Sequence, residues 1–405
     1  MKGELINSEI LSTNRGLNNN SVESDFINIS YITSSRECEL IESLSKLDKG
    51  GDFDNINFSE KILDKFFNSF EGSETLFLKN KYLYLLTEGA INYLEAYESM
   101  QDGDNKKLRE FEIHFLSGIF EYYHKNYKSI DIVSIGSASF VKETKAMHNC
   151  KAHIKRFFPI DVSPILLQLG VLNFKKTYNK EDIHLNPILG DLWDISDMID
   201  EKPLETNKLP FLQNAKNNLT IFTFLGSTFG NYHEFSILTK IIRLMKVNDV
   251  LIMGFDTFKG SSMVDAKKEL EIKYSTIDNV RFLLEPLYHI PKYKGFVEKP
   301  QKYVKIKDST ISEYSATNDY NLLTSINDSI CLAPFLVVPD DNGKVKKITL
   351  AQTTKYKYET FETWIENNFK EKLELIKNTN LSKENMPDDK ILGNAVVSLK
   401  KLSNF

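Results

Sequence analysis

The chain has 405 residues, of which 41% are hydrophobic and 26% charged, and its formal net charge is −5. These values are typical of a globular protein with a sizeable core, and they give no electrostatic reason to expect binding to nucleic acid or to an anionic membrane. Three widely spaced cysteines predict reduced thiols rather than disulfides, and no apolar run approaches the length of a membrane span. We therefore expect a cytoplasmic protein whose partners are small molecules. The oligomeric state stays open.

The first third of the chain is predicted to be a leader followed by helices. Residues 1–30 contain few large apolar side chains, which is typical of a mobile leader or of an arm docked on the body. Over residues 31–128, apolar residues recur at spacings of three and four, as in LREFEIHFLSGIFEYYHKNY (108–127). This spacing predicts a part built mainly of amphipathic helices.

From residue 129 the period changes, and short apolar runs alternate with helical patterns. The alternation predicts a parallel α/β sheet over residues 129–259. Residues 260–350 mix both patterns and are interpreted as an inserted α+β part covering the carboxyl ends of the strands. Residues 351–405 return to the sheet with two runs, 371–378 and 391–402, that lack a helix-length segment between them and so predict an antiparallel end. The runs of the parallel part are IDIVSIG (130–136), KRFFPID (155–161), HLNPILGD (184–191), NLTIFTFLG (218–226) and DVLIMGFD (249–256).

The first strand ends in a turn of small residues. In an open parallel sheet, ligands bind at the carboxyl ends of the strands. Gly136 and Ser137 in IGSASFVKET (135–144) would let a cofactor approach the backbone beside a helix N-terminus. Lys142, in the same stretch, is also predicted to bind the cofactor. The turn is not GxGxxG, because Ala138 replaces the second glycine, and an ordinary βα turn explains it about equally well.

Acidic residues end the next two strands. Asp161 lies 25 residues after Gly136, where a carboxylate can accept both ribose hydroxyls of a nucleoside. Asp161 also suits the N-cap of the following helix, as does Ser163, and the two residues can share these roles. Asp191 could accept from an exocyclic amine, and Leu192 or Trp193 could pack on an adenine face, although the preceding Gly190 with Asp191 is also typical of an ordinary turn.

The fourth strand ends in GSTFGN (226–231), more small and polar residues than a turn requires, which indicates a surface that contacts a ligand. With FPIDVS (158–163), GDL (190–192) and LIMGFDTFK (251–259) in the same order, it resembles the S-adenosylmethionine-dependent family of the histidine Nα-methyltransferase of ergothioneine biosynthesis. The similarity covers roughly residues 130–260. It implies a class I (Rossmann-like) methyltransferase fold, S-adenosylmethionine as cofactor, S-adenosylhomocysteine as product, and N-methylation of an amino-acid α-amine or a related small amine.

The resemblance also implies roles for single residues. Gly226 and Ser227 would line the cofactor, while Thr228 and Asn231 would lie where cofactor and substrate meet. Asn231 matches the family asparagine that holds the amino and carboxylate end of the amino acid. Tyr274, in KYSTIDNVRF (273–282), matches a tyrosine near the reacting nitrogen, and Asp256 of the fifth-strand motif is assigned to the substrate. The alternative for GSTFGN is a polar loop that caps the helix from Tyr232. Looser tyrosine candidates are Tyr82 and Tyr84, for which core packing is the simpler role.

The chain departs from the family pattern where imidazole would be held. In LAQTTKY (350–356), Ala351 replaces the family carboxylate, and Thr353 replaces a serine and is assigned to the substrate. In FLLEPL (282–287), Glu285 replaces an asparagine and would either read a different side chain or lie on the surface. These departures predict that histidine is a poor substrate.

Two alternative functions and two further motifs are weighed against this hypothesis. The alternatives are an O-methyltransferase for a small molecule and an inactive binding subunit. HNCKAH (148–153) has metal-like spacing without a fourth ligand nearby, so we expect no metal site. His233 could act as a base, but a histidine in the first turn of a helix more often faces solvent.

Overall fold

The computed structural model describes residues 30–32, 75–77, 83–84, 89–94, 104–178, 183–190, 218–259, 263–288, 304–308, 324–339, 345–377, 382–385 and 391–403. Within these ranges no helix is both long enough and apolar enough to cross a bilayer. The helices are α1 (Asp104–His124), α2 (Val141–Asn149), α3 (Pro164–Thr177), α4 (Glu234–Leu244), α5 (Met263–Tyr274), α6 (Ile277–Tyr288) and α7 (Tyr358–Phe369).

The larger of two sheets has the order β1-β6-β4-β3-β7-β8-β15-β13, with β5 paired to β4 and β14 paired to β15. The strands from β1 to β8 in this order run parallel, whereas β15 is antiparallel to β8, β13 and β14. This arrangement confirms the predicted class I fold with its antiparallel end. The strands are β1 (Ser30–Ile32), β3 (Ile130–Ile135), β4 (Ile154–Asp161), β5 (His184–Leu185), β6 (Ile188–Gly190), β7 (Leu219–Phe224), β8 (Val250–Phe258), β13 (Leu373–Leu375), β14 (Ser382–Asn385) and β15 (Leu392–Lys401).

Both faces of this sheet are covered, because successive side chains of its central strands enter different cores. Ile132 and Ile221 lie in a core formed with α1, α2 and α3. The neighbouring Val133 and Phe222 lie in the opposite core, formed with α4 and α7. Near-continuous apolar strands are what a doubly covered parallel sheet requires.

The smaller sheet has the order β12-β10-β11-β2, with β9 paired to β10. Its strands β9 (Val304–Asp308), β10 (Ile330–Pro339) and β11 (Val345–Thr349) come from the predicted inserted part, and β12 (Thr353–Lys355) follows it. Tyr356 ties this sheet to β8, since its N–H donates to Asp256 O at 3.1 Å and its carbonyl accepts from Phe258 N at 3.0 Å.

Two elements differ from the sequence-based expectation. The first third contributes strands as well as helices, because β1 joins β6 and β2 (Thr75–Phe77) joins β11. Strands of three residues are too short to show a period. The predicted third strand is divided into β5 and β6 around Asn186 and Pro187, because proline has no N–H for the ladder.

Candidate active site

A cavity of about 610 Å³ lies at the carboxyl ends of β3, β7 and β8. The strands β4 and β6 lie on one side of β3, and β7 and β8 lie on the other. The loops after β3 and β7 therefore leave in different directions and open a crevice, which is where open α/β sheets bind ligands. Its volume is within the range usual for small-molecule sites.

The two loops are held in strained backbone conformations. Gly136 has φ +59°, and a Cβ there would lie 3.0 Å from Thr228 Cγ2, so a side chain would force the loops apart. Ala138, Phe140 and Ser227 also have positive φ, and they are three of the five non-glycine residues of this kind in the described ranges. Strain of this type is retained where the surroundings demand it, often at functional sites.

The carboxylate of Asp161 joins the ends of β3 and β4. Oδ2 accepts from Ala138 N at 2.7 Å, and Oδ1 accepts from Ser163 N at 2.9 Å. Ser163 is fully buried, and its Oγ accepts from Leu166 N at 3.3 Å as the N-cap of α3. The geometry therefore favours the helix-cap interpretation of Ser163 over contact with a cofactor. Asp161 is therefore in direct contact with the turn that contains Gly136.

Two glutamates, one in α2 and one in α1, hold the loop after β3 and the residues next to it in place. Glu143 is buried and accepts from Ser134 Oγ at 2.6 Å and from Thr223 Oγ1 at 3.1 Å, which joins α2 to β3 and β7. Burial raises the pKa of Glu143 in spite of these hydrogen bonds. Glu112 of α1 pairs with Lys142 Nζ at 2.5 Å, so this lysine is held at the cavity wall beside Gly226.

A buried ion pair forms the floor between β8 and β12. Asp256 accepts from Ser227 Oγ and from Lys355 Nζ, and Lys355 Nζ also donates to Thr353 Oγ1 at 3.1 Å. Burial alone would raise the pKa of Asp256, but the charge of Lys355, with that of Lys273, holds it well below its ordinary value. Burial would lower the pKa of Lys355, and Asp256 raises it above the ordinary value, so both groups are ionised.

Asn231 ends a 3-10 helix (Thr228–Asn231) that packs directly on β12. A Cβ at Gly230 would lie 2.4 Å from Thr354 O, which explains the glycine in GSTFGN. Asn231 lines the cavity, and its amide makes no hydrogen bond to any described residue. The N-cap of α4 is His233, without a capping hydrogen bond from its side chain. The loop is therefore not explained as a helix cap.

Two tyrosines reach the same cavity from different elements. Tyr274, at the end of α5, has its ring centroid 5.6 Å from Lys355 Nζ. Asn279 Nδ2 holds the turn after it by donating to Lys273 O at 3.0 Å. Tyr84 lines the cavity as well, so core packing is not its whole role. Burial, and next the charge of Asp161, raise the pKa of Tyr84 well above its ordinary value.

Most of the predicted site residues converge on this cavity. Asp161 and Ser163 are buried and are not among the described residues that line it. Glu285 is a further exception. It is buried, so it is not a surface residue, yet it is not among the described residues that line the cavity; it lies behind the wall near Gly89. Asp191, Leu192 and Tyr82 lie outside the described residues. The predicted residues that do line the cavity are Gly136, Ser137, Lys142, Gly226, Ser227, Thr228, Asn231, Asp256, Tyr274 and Thr353.

The two further motifs lie elsewhere. His233 borders a separate surface groove with Trp364, and its Nδ1 lies 3.2 Å from Ser236 Oγ. In HNCKAH, His148 packs against Tyr178, and His153 N donates to His124 Nδ1 at 3.3 Å. No group of three or more potential metal ligands occurs in the part of the chain that the structure describes.

The loop after β3 suits a nucleoside-type cofactor. The hydroxyl of Ser137, which lines the cavity, is buried without a hydrogen-bond partner among the described residues. A buried hydroxyl without a partner is costly and is satisfied when a polar ligand arrives. S-adenosylmethionine presents such polar groups, and Gly136, Ser137 and Lys142 are the residues that would hold it.

The family described as "Histidine-specific methyltransferase, SAM-dependent" matches residues 106–290, just under half of the chain. A search of curated proteins found no match. Among solved structures, an S-adenosylmethionine-dependent methyltransferase from Clostridium acetobutylicum is 12% identical, with 77% of this chain and 97% of that chain covered and a TM-score of 0.37. The plantazolicin methyltransferase BamL, solved with a triazolic desmethylPZN analog and SAH, is 11% identical, with 86% and 98% covered and a TM-score of 0.34.

The family match spans α1 to α6 and so contains the loops after β3, β7 and β8. It ends before residues 350–356, which contain Ala351 and Lys355, so one of the two segments that depart from the family pattern lies outside the match. The other, FLLEPL (282–287) with Glu285, lies inside it. With the class I sheet and the cavity at its crevice, the match identifies this chain as an S-adenosylmethionine-dependent methyltransferase.

Proposed function

We propose that this methyltransferase acts on the α-amine of an amino acid or of a related small amine. The observation that carries the proposal is the side chain of Asn231, which lines the cavity beside the loop after β3 and makes no hydrogen bond to the described residues. An amide can accept from an amine and donate to a carboxylate at once. An α-amino acid presents both groups on the same carbon atom.

The reaction needs alignment more than acid–base groups. The cofactor would supply an electrophilic methyl group on a sulfonium, which an uncharged amine attacks in line. Asn231 would orient the amine through its amide oxygen. The hydroxyls of Tyr274 and Tyr84 border the same cavity and can accept hydrogen bonds from the amine. The raised pKa of Tyr84 keeps its hydroxyl protonated and neutral.

The charges around the cavity suit a zwitterion. Lys142 is paired with Glu112, and Lys355 is paired with Asp256. Charges of both signs can attract the ammonium and the carboxylate of an amino acid as it enters, before the amine loses its proton and attacks.

Histidine is the acceptor against which the others should be compared, because the matched family is described as histidine-specific. Ala351 is nearly buried and has no group that can accept from an imidazole nitrogen. A site without that partner would leave the imidazole N–H unpaired, and such losses are heavily penalised. We therefore expect histidine to be a poor substrate.

The test is methyl transfer from S-adenosylmethionine by wild type, Asn231→Ala and Asn231→Asp. The alanine variant should lose roughly a hundred-fold in rate, about 2.7 kcal/mol, with nearly unchanged affinity for S-adenosylhomocysteine. The aspartate variant keeps an acceptor but repels the carboxylate, so its KM should rise further. Asn368→Ala is the control, because Asn368 Nδ2 donates to Trp364 O outside the cavity.

Proportional losses of cofactor affinity, stability and rate in both variants would make GSTFGN a cofactor loop, and the assignment to an amine acceptor would fail. Methylation of hydroxyl or carboxylate acceptors alone would instead support the O-methyltransferase alternative. Histidine as the preferred acceptor would keep N-methylation but would show that Ala351 does not decide the specificity.

A further inference from the structure

One wall of the cavity is aromatic. We name Tyr84, Tyr93 and Phe282 the aromatic box. The ring centroids of Tyr84 and Tyr93 are 5.2 Å apart, those of Tyr84 and Phe282 are 5.2 Å apart, and those of Tyr93 and Phe282 are 5.7 Å apart. All three side chains line the cavity. Edge-to-face and tilted pairs of this kind leave ring faces and edges for a further ring to pack on.

The surroundings of the box are apolar. Leu83, Leu283 and Ala351 line the cavity beside it and belong, with Phe282, to one buried cluster. The described lining residues of α6 and of residues 83–94 carry no charged side chain. The amide of Asn279 donates to Lys273 O and to Thr276 Oγ1, so its donors already have partners. A charged acceptor side chain placed here would lose its water without meeting a charged side chain on these lining segments.

The box shares its cavity with the polar side chains of the site. Tyr84 and Tyr274 both line this cavity, and the ring centroid of Tyr274 lies 5.6 Å from Lys355 Nζ. Asn231, Asp256 and Lys355 line the same cavity. An amine held at these polar groups and a side chain packed on the box would therefore occupy one continuous space.

We propose that the aromatic box holds the side chain of the acceptor, and that this enzyme prefers amino acids or amines with an aromatic or large apolar side chain. The inference rests on the proposed N-methylation. The opposing hypothesis is an acceptor with a basic side chain, which would pair with the carboxylate of Glu285. That carboxylate lies behind the box and is not among the described residues that line the cavity.

The test compares kcat/KM for phenylalanine, tryptophan, leucine, alanine, histidine, lysine and aspartate. The aromatic and large apolar acceptors should exceed the charged ones by roughly ten- to a hundred-fold. Phe282→Ala should lower kcat/KM for phenylalanine by roughly ten-fold or more but for alanine by only a few-fold, so the preference collapses. Calorimetric titration of phenylalanine into the complex with S-adenosylhomocysteine should show the same loss of binding.

Phe335→Ala is a matched control. Phe335 and Phe282 are each 8% exposed, but Phe335 is not among the described residues lining the cavity and lies under Lys347 Nζ. The control should lose stability and keep the phenylalanine-to-alanine ratio. If Phe282→Ala does not fold, Phe282→Leu replaces it in the test. That variant should lower the ratio of kcat/KM for phenylalanine to kcat/KM for leucine.

The outcomes distinguish failure of this inference from failure of the proposed function. N-methylation with a preference for histidine, lysine or aspartate would overturn the inference and leave the proposed function intact. An unchanged phenylalanine-to-alanine ratio in folded Phe282→Ala would also overturn it, because the box would then be only packing. Absence of any N-methylated product in an enzyme that binds S-adenosylhomocysteine would reject the proposed function and the inference together.

Discussion

Asp161 joins the loop after β3 to the start of α3 through a single carboxylate. Its two oxygens accept backbone N–H groups from these two segments. Each oxygen has a further lone pair, so the same carboxylate could also accept ribose hydroxyls. The observed role of holding the loop and the predicted role of binding the ribose can be separated by measuring cofactor affinity apart from stability.

We predict that Asp161→Ala weakens S-adenosylhomocysteine binding by roughly ten- to a hundred-fold, or about 1.5–3 kcal/mol, because charge-assisted hydrogen bonds are lost. Calorimetry measures this change. Asp131→Ala is the control, since Asp131 pairs with Arg156 at 2.7 Å near the start of β3 rather than at its carboxyl end. The control should lose stability but keep its affinity. Equal affinities in wild type and a folded Asp161→Ala would remove Asp161 from the cofactor site.

Sequence reasoning misses Lys355 and gives Tyr84 only as a looser candidate, for different reasons. Lys355 stands within LAQTTKY (350–356), and a lysine that directly follows two β-branched threonines was a signal that could have been used. Its importance became clear only because β12 places it against Asp256. Tyr84 gave no such signal, because a tyrosine in an apolar run is usually packed in a core. Its contact with the cavity depends on α6, nearly two hundred residues later in the chain.

Between elements, Glu234 is the main polar link behind the site. It begins α4 and is fully buried. Its carboxylate accepts from Thr324 Oγ1 at 2.7 Å, Ser325 N at 2.8 Å and Tyr356 OH at 3.0 Å. It therefore ties the segment before β10 and the end of β12 to the larger sheet. Because Tyr356 follows Lys355, this link also holds the ion pair in place.

We predict that Glu234→Gln lowers the free energy of unfolding by about 2 kcal/mol, because an amide cannot accept all of these hydrogen bonds. The KM for the acceptor should rise, while affinity for S-adenosylhomocysteine should change little. Denaturant unfolding and steady-state kinetics measure the two effects. Tyr356→Phe removes one of the bonds and should give a smaller loss. A drop in cofactor affinity as large as the rise in KM would show that the link supports the cofactor side instead.

At the scale of the whole molecule, the free energy of unfolding should depend on the buried ion pair of Asp256 and Lys355. The Lys355 side chain is 1% exposed and that of Asp256 is 20% exposed. Loss of Asp256 would therefore leave the more buried charge unpaired, whereas loss of Lys355 leaves a carboxylate that still accepts from Ser227 and borders the cavity. Asp256→Asn should cost about 3 kcal/mol, more than Lys355→Met.

We also predict how this contribution depends on pH. The pKa of Asp256 is lowered in the folded chain, so its stabilisation is present above the ordinary value of about 4 and is lost as pH falls through the folded value. The pKa of Lys355 is raised, so its stabilisation is present below about 10.4 and is lost as pH rises through the folded value. The stability of wild type relative to Asp256→Asn/Lys355→Met should be constant from about pH 5 to 9 and fall outside that window.

Thermal or denaturant unfolding of wild type and the double variant over this pH range provides the measurement. The double variant is the proper reference, because it removes both charges and leaves neither unpaired. A relative stability that stays constant down to pH 3 would show that the pair does not titrate as its geometry requires.

The sequence by itself determined the class I sheet, its antiparallel end and the small-residue loops that line the cavity. These features depend on local patterns, since apolar strands, small-residue turns and helix caps each lie within about ten consecutive residues. Only the tertiary structure decided that Tyr84, Phe282, Ala351 and Lys355 share one cavity. Their neighbourhood depends on how the smaller sheet and α6 pack over β8, and packing between distant segments leaves no periodic trace in the sequence. The loops after β3 and β7 were therefore readable from residue order, whereas their convergence with the side chains of distant segments required the fold.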